Sequence, residues 1–184
     1  MMIHKDKYIF YKKAALSIEE CQQIINNFEI EEKHRGPINE ITLRDNDFYY
    51  YSIGVNPAYQ FWIKYLQQSI QEYKKEHTFL GYGDCGCWVV DPVANIQKYK
   101  PNQYYKGEHC DQTPMNPNRV LVWMIYLNTI NKGGGTTWPQ QEFTTKARAG
   151  DLYIWPAGWT HSHKGIVAPE EEKYIITGWS SFRT

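Results

Sequence analysis

The 184-residue chain has almost no charge bias, since 20 basic and 20 acidic residues cancel. Residues 1–94 carry 10 basic and 13 acidic groups and residues 95–184 carry 10 and 7, a split too mild for a nucleic-acid-binding tract. Long apolar runs are missing. The longest, Val120 to Leu127, falls far short of the about 20 residues that a membrane-spanning helix needs. Met1 to Lys7 is polar and charged, without the apolar segment of a secretory signal. Cysteine is scarce, with only Cys21, Cys85, Cys87 and Cys110. Cys85-Gly86-Cys87 is too tight for a zinc pair, and no further His or Cys set completes one. Free thiols in a reducing compartment follow, and a cytoplasmic location is expected. Repeats, low-complexity tracts and linkers are absent as well, so residues 1–184 are expected to form one domain.

What the chain has instead is aromatic mass: 16% of its residues, with 15 Tyr and 7 Trp. Aromatics pack well on pleated sheets. Residues 1–94 read as a support of strands and helices. Tyr8 to Tyr11 is a first strand candidate, and Ser17-Ile18-Glu19-Glu20 is a capping box that opens a helix through about Phe28. Its apolar positions are Ile18, Cys21, Ile24, Ile25 and Phe28. Strand candidates follow at Ile41 to Leu43 and Phe48 to Ile53. Asn56-Pro57 signals a second helix to about Lys75, with Tyr59, Trp62, Ile63, Leu66 and Ile70 on one face. Residues 95–184 read as strands at Asn95–Lys100, Arg119–Asn128, Gly135–Trp138, Asp151–Trp155 and Tyr174–Phe182, with Gly and Pro turns between them. This pattern predicts a mainly β fold with flanking helices, a jelly roll or barrel.

The chemistry concentrates in His109-Cys110-Asp111, with His163 52 residues beyond Asp111. On a strand, residues i and i+2 point the same way, so His109 and Asp111 can reach one metal and a distant strand can supply a third ligand. Two histidines and one carboxylate on one face of an iron leave the other face open, as in the facial triad of non-haem Fe(II) oxygenases. His161 competes with His163, because strand periodicity puts both on one face. Ten residues after His163 stands Lys173, on a predicted strand where Lys173, Ile175, Thr177 and Trp179 share a face. A compact cation on a long stem there suits a single carboxylate at the bottom of a pocket. Taken singly, each residue has a plainer reading: Asp111 as a turn residue, His163 as a surface histidine, Lys173 as the end of the acidic run Glu170 to Glu172, and Tyr126 as a core tyrosine.

Taken together, these residues resemble a known family. Gln97 to Tyr105, His109-Cys110-Asp111, Val120 to Asn128, Gly133 to Thr136, Gly150-Asp151-Leu152, His163-Lys164-Gly165 and Lys173 to Trp179 stand in the order and spacing of the Fe(II)/2-oxoglutarate dioxygenases, in their prolyl 4-hydroxylase-like branch. The resemblance implies a double-stranded β-helix, the cupin-like jelly roll, as the catalytic core over residues 95–184. It implies His109, Asp111 and His163 as iron ligands, the family pattern choosing His163 over His161. It implies Lys173 and Tyr126 on the distal carboxylate of 2-oxoglutarate, Tyr99 and Thr177 along the same pocket, and Trp179 beside it. Lys164 and the acidic loop Pro169 to Glu172 depart from the family pattern.

The activity implied is hydroxylation of a substrate carbon with dioxygen, with 2-oxoglutarate going to succinate and CO2 and ascorbate as accessory reductant. Asp111, in place of a small residue, favours hydroxylation over halogenation. No catalytic residue beyond the metal ligands is expected. A peptidyl proline is the first-choice substrate. A small molecule or nucleobase on the same site is the alternative, and a non-enzymatic metal-binding module the third. Substrate contacts are expected in the loops Arg44–Tyr51 and Gly81–Cys87, at Trp159, and at Trp179 on the rim.

Overall fold

The computed structural model describes residues 2–4, 7–30, 36–37, 47–52, 60–82 and 85–183, with backbone only for 2–4, 36–37 and 47–52. The strand candidate Ile41–Leu43, Ile53, and the helix signals at Asn56, Pro57 and Tyr59 lie outside the described residues.

Eleven strands among the described residues form two antiparallel sheets. The larger runs in the order β1 (Met2–His4), β2 (Ile9–Lys12), β9 (Leu152–Pro156), β6 (Arg119–Tyr126), β11 (Lys173–Phe182), β5 (Trp88–Tyr99), β4 (Asp47–Ser52) and β3 (Gly36–Pro37). The smaller holds β10 (Lys164–Gly165), β7 (Thr136–Trp138) and β8 (Phe143–Thr144). This is the jelly roll that the strand pattern predicts. The apolar run of β6 takes the centre, between β9 and β11, where a strand buried on both faces needs no polar alternation.

Two helices, α1 (Ile18–Ile30) and α2 (Ile63–Glu76), cover one face of the large sheet. Cys21, Ile24, Ile25 and Phe28 of α1 and Leu66, Ile70 and Tyr73 of α2 pack with Ile96, Trp123, Ile125 and Ile176. Each such fully buried apolar side chain contributes about 1.5–3 kcal/mol. The opposite face of the same strands, with Tyr99, Val122, Met124 and Ile175, turns toward the small sheet. Period-2 alternation on β11 thus sends Tyr174 and Ile176 to the helices and leaves Lys173, Ile175, Thr177 and Trp179 for the interior between the sheets.

The capping box is formed: the Glu20 N–H donates to Ser17 Oγ at 3.1 Å and the Ser17 N–H to Glu20 Oε2 at 2.8 Å. Two details differ from the sequence reading. Ile18, at the first turn of α1, is 71% exposed and takes no part in the buried face of Cys21, Ile24, Ile25 and Phe28. The second helix starts at Ile63, after turn residues 60–62, and Trp62 stands at its N-cap with its ring 5.3 Å from that of Trp123. At the Arg148–Gly150 turn, Gly150 has φ +83°, and a Cβ there would stand 2.1 Å from the Leu16 carbonyl oxygen. No helix among the described residues is long and apolar enough to cross a membrane, and all four cysteines are free.

Ser17→Ala removes the hydroxyl of the capping box. It is expected to lower unfolding free energy by about 1 kcal/mol, read from the urea midpoint at unchanged slope.

Candidate metal centre and cosubstrate cavity

The strand expected over His109–Asp111 is absent. His109 makes an isolated antiparallel bridge with His163, and Asp111 lies in a bend. The bridge does the strand's work. The His109 N–H donates to the His163 carbonyl at 3.0 Å and the His163 N–H to the His109 carbonyl at 2.9 Å. The Asp111 N–H donates to the Ala157 carbonyl at 3.1 Å, which ties the next residues to the end of β9. Ligand-capable atoms of His109, Asp111 and His163 then lie within 4.8 Å of one another.

The rings are oriented for a metal. His109 Nδ1 is 3.1 Å from the Gly107 carbonyl and His163 Nδ1 is 3.1 Å from the His161 carbonyl. A carbonyl only accepts, so each Nδ1 carries the proton and each Nε2 keeps its lone pair. Tyr105 stacks on His109 with centroids 3.8 Å apart, and Trp138 and Trp155 flank His163 at 5.8 and 5.1 Å. Asp111 Oδ1 accepts the Trp179 indole N–H at 2.8 Å. Asp111 Oδ2 is buried without a hydrogen-bond partner, 3.6 Å from His163 Nε2. A buried carboxylate oxygen with no donor, with ligand-capable histidine nitrogens within 4.8 Å, fits a divalent cation and is otherwise unfavourable.

His161 goes elsewhere. The short 3-10 turn Trp159–His161 breaks the strand periodicity, so the two histidines diverge. Its Nε2–H donates to the Lys7 carbonyl at 2.8 Å and its Nδ1 meets the Thr160 hydroxyl at 3.0 Å. Burial lowers its pKa, partly opposed by the Lys7 bond. Its carbonyl is what orients His163.

A cavity of about 340 Å³ opens beside His109, Asp111 and His163. Lys173, Ile175, Thr177 and Trp179 all line it, as the strand alternation predicts, together with Tyr99, Gln97 and Thr136. Lys173 is 3% exposed and its Nζ sits 4.5 Å from the centre of the Tyr99 ring. No carboxylate among the described residues pairs with Lys173, and burial pushes its pKa down to about 8. The Tyr99 hydroxyl bonds Gln97, and the Thr177 hydroxyl donates to the Trp123 carbonyl at 2.8 Å.

Other expected residues sit farther off. Tyr126 is fully buried, its hydroxyl bonded to Thr136 and Thr145 at 2.9 and 2.7 Å, so Thr136 rather than Tyr126 meets the cavity. Trp159 is 73% exposed and does not line the cavity. Nor do the described residues of Gly81–Cys87, while residues 44–46 and the side chains of Asp47–Tyr51 lie outside the description. The acidic loop is spent locally: Glu170 pairs with Lys132, Glu171 with Asn131 and Glu172 with Lys98. Lys164 lies on β10 opposite Thr137. The cavity instead takes Tyr105, Thr113, Asn116 and Arg119, which sequence reasoning missed. Arg119, a lone charge opening the apolar strand β6, was the one with a visible signal.

Residues 94–181 match the family model of the 2OG-Fe(II) oxygenase superfamily. A comparison with curated proteins gives no match. Among solved structures, the fold resembles a viral collagen prolyl hydroxylase from Paramecium bursaria Chlorella virus-1 in complex with 2OG, at TM-score 0.73 and 21% identity over 96% of this chain and 97% of that one. It also resembles a Pseudomonas putida prolyl-4-hydroxylase, at TM-score 0.73 and 16% identity over 97% and 94%. A third is a Trichoplax adhaerens prolyl hydroxylase in complex with a hypoxia inducible factor oxygen degradation domain peptide fragment, at TM-score 0.68 and 18% identity over 96% and 84%.

Burying the Lys173 cation has a measurable cost. Between pH 8 and 10.5 the folded chain has released the Lys173 proton and the unfolded chain still holds it, so this group's contribution to stability rises with pH. Lys173→Met is expected to be more stable than the parent at pH 7 by on the order of 3 kcal/mol, an advantage that shrinks to nothing by about pH 10.5. Urea unfolding of both chains across that range checks the sign.

Proposed function

From the match of residues 94–181 to the 2OG-Fe(II) oxygenase family model, we propose that the chain hydroxylates a substrate carbon, a peptidyl proline in the first instance, with succinate and CO2 as co-products. The observation that carries this reading is one cavity holding both a two-histidine, one-carboxylate cluster and a buried cation without a counter-charge among the described residues. His109, Asp111 and His163 would hold Fe(II) on one face. That ion, when bound, supplies the redox chemistry that couples decarboxylation of 2-oxoglutarate to C–H oxidation.

The chain's own residues do the rest. Lys173 Nζ neutralises the distal carboxylate of the cosubstrate, and the flanking Tyr99 ring and Thr177 help define the pocket around it. Thr136, held by Tyr126, offers a hydroxyl on the wall. Trp138 and Trp155 keep water from one side of His163. Thr113, Asn116 and Arg119 give the cavity polar groups for a substrate backbone. The proline reading is supported by the fold likeness to three prolyl hydroxylases, one of them holding a peptide.

The test is succinate formation by purified protein with Fe(II), ascorbate and 2-oxoglutarate under air, with and without proline-containing peptides. Iron-dependent succinate that a peptide stimulates supports the reading. Succinate that no peptide stimulates would shift the substrate to a small molecule, and none from iron-loaded protein would remove the enzyme reading. In the same assay Asp111→Ala and His163→Ala are each expected to abolish turnover while His161→Ala retains it. A second titration addresses the cation: Lys173→Ala should raise the 2-oxoglutarate requirement by the worth of a charge-assisted contact, about 1.5–3 kcal/mol or more than tenfold.

A further inference from the structure

Trp179 stands out among the tryptophans. The indole N–H groups of Trp62, Trp123, Trp138 and Trp155 are buried without hydrogen-bond partners. That of Trp179 donates to a carboxylate, Asp111 Oδ1, at the 2.8 Å of a charge-assisted bond. The backbone is irregular at this point. Pairing of β11 with β5 shifts between Gly178 and Ser180, opposite Asp91-Pro92-Val93, whereas the Trp179–Val122 pairing with β6 persists. A local bulge is a recurrent way of re-aiming one side chain beside an active site. Pro92 has no N–H to give the ladder there.

Arg119 closes the arrangement. Its guanidinium lies 3.7 Å from the centre of the Trp179 ring and its Nη1 donates to the Asp111 carbonyl at 3.3 Å. Asp111 is therefore gripped twice, at the backbone by Arg119 and at Oδ1 by an indole that Arg119 itself stacks upon. Oδ2, left without a donor, faces His163 Nε2.

Resting on the metal-site reading above, we infer that Trp179 and Arg119 are positioning residues that pin the Asp111 carboxylate so that a single oxygen, Oδ2, is offered to the metal. A carboxylate free to rotate could chelate through both oxygens and occupy a position that the cosubstrate or dioxygen needs. The pinned one supplies one ligand and leaves the opposite face open. This assigns Trp179 a role at the ligand itself, distinct from that of a rim contact with substrate.

Co(II) titration of the full chain tests this, read from the visible d–d bands as well as the affinity. Trp179→Phe keeps an aromatic ring for Arg119 and loses the N–H together with part of the indole's area. It is expected to bind Co(II) about 10–100-fold more weakly, with shifted bands that report a changed carboxylate mode. Trp179→His, which retains a ring N–H, should recover part of both. Arg119→Gln should move the bands in the same direction, and it tests the inference should Trp179→Phe fail to fold by circular dichroism. Folded variants with parental affinity and bands would overturn the pinning while leaving the metal site intact. A parent chain that takes up no Co(II) would overturn the metal-site reading and this inference with it.

Discussion

The site depends on two backbone hydrogen bonds, the reciprocal pair between His109 and His163. They join a loop after β5 to the segment between β9 and β10 and set two imidazoles 4.4 Å apart at their centroids. Neither histidine belongs to a long strand, so no ladder would otherwise fix their separation. The carbonyls of Gly107 and His161 then turn the rings, and the Ala157 carbonyl holds the chain at Asp111. Three ligand-capable side chains from two loops thus approach one point, with backbone hydrogen bonds setting the two imidazoles and Trp179 and Arg119 holding Asp111.

The large sheet makes this possible by dividing labour between its faces. Toward α1 and α2 it presents Ile96, Trp123, Ile125 and Ile176, a dry core with no polar duties. Toward the small sheet the same strands present Lys173, Thr177, Gln97 and Trp179. A strand's two-residue period suffices to keep a hydrophobic core and a polar cavity on opposite sides of one backbone. The cavity groups therefore rest on the most heavily paired strand, β11, which bonds to both β5 and β6.

How much of this was legible in the sequence follows the same physics. The β11 face was readable because alternation needs only local backbone geometry. The capping box at Ser17 was readable because both partners lie within one turn. The H-x-D pair does come together with His163, but through an isolated bridge where a strand was expected. The choice between His161 and His163 was not in local periodicity. It depends on a 3-10 turn and on Lys7, 154 residues from His161 in the chain. Tyr126 and Trp159 show the limit most plainly. A tyrosine in a buried strand spends its hydroxyl on the nearest threonines, and an aromatic beside a ligand in sequence can still point into solvent. Arg119 shows in the sequence as a charge opening an apolar strand, but its stacking on Trp179 of another strand does not.

Lys173 buries a cation in a cavity with no counter-charge among the described residues. While Lys173 stays protonated the fold carries that electrostatic penalty, and any anion of suitable reach that enters relieves it. Such an anion binds the folded chain and not the unfolded one, so by mass action the melting temperature must climb with its concentration. The thermal transition is therefore a ligand screen in its own right, able to rank dicarboxylates by shape and charge without metal, dioxygen or turnover.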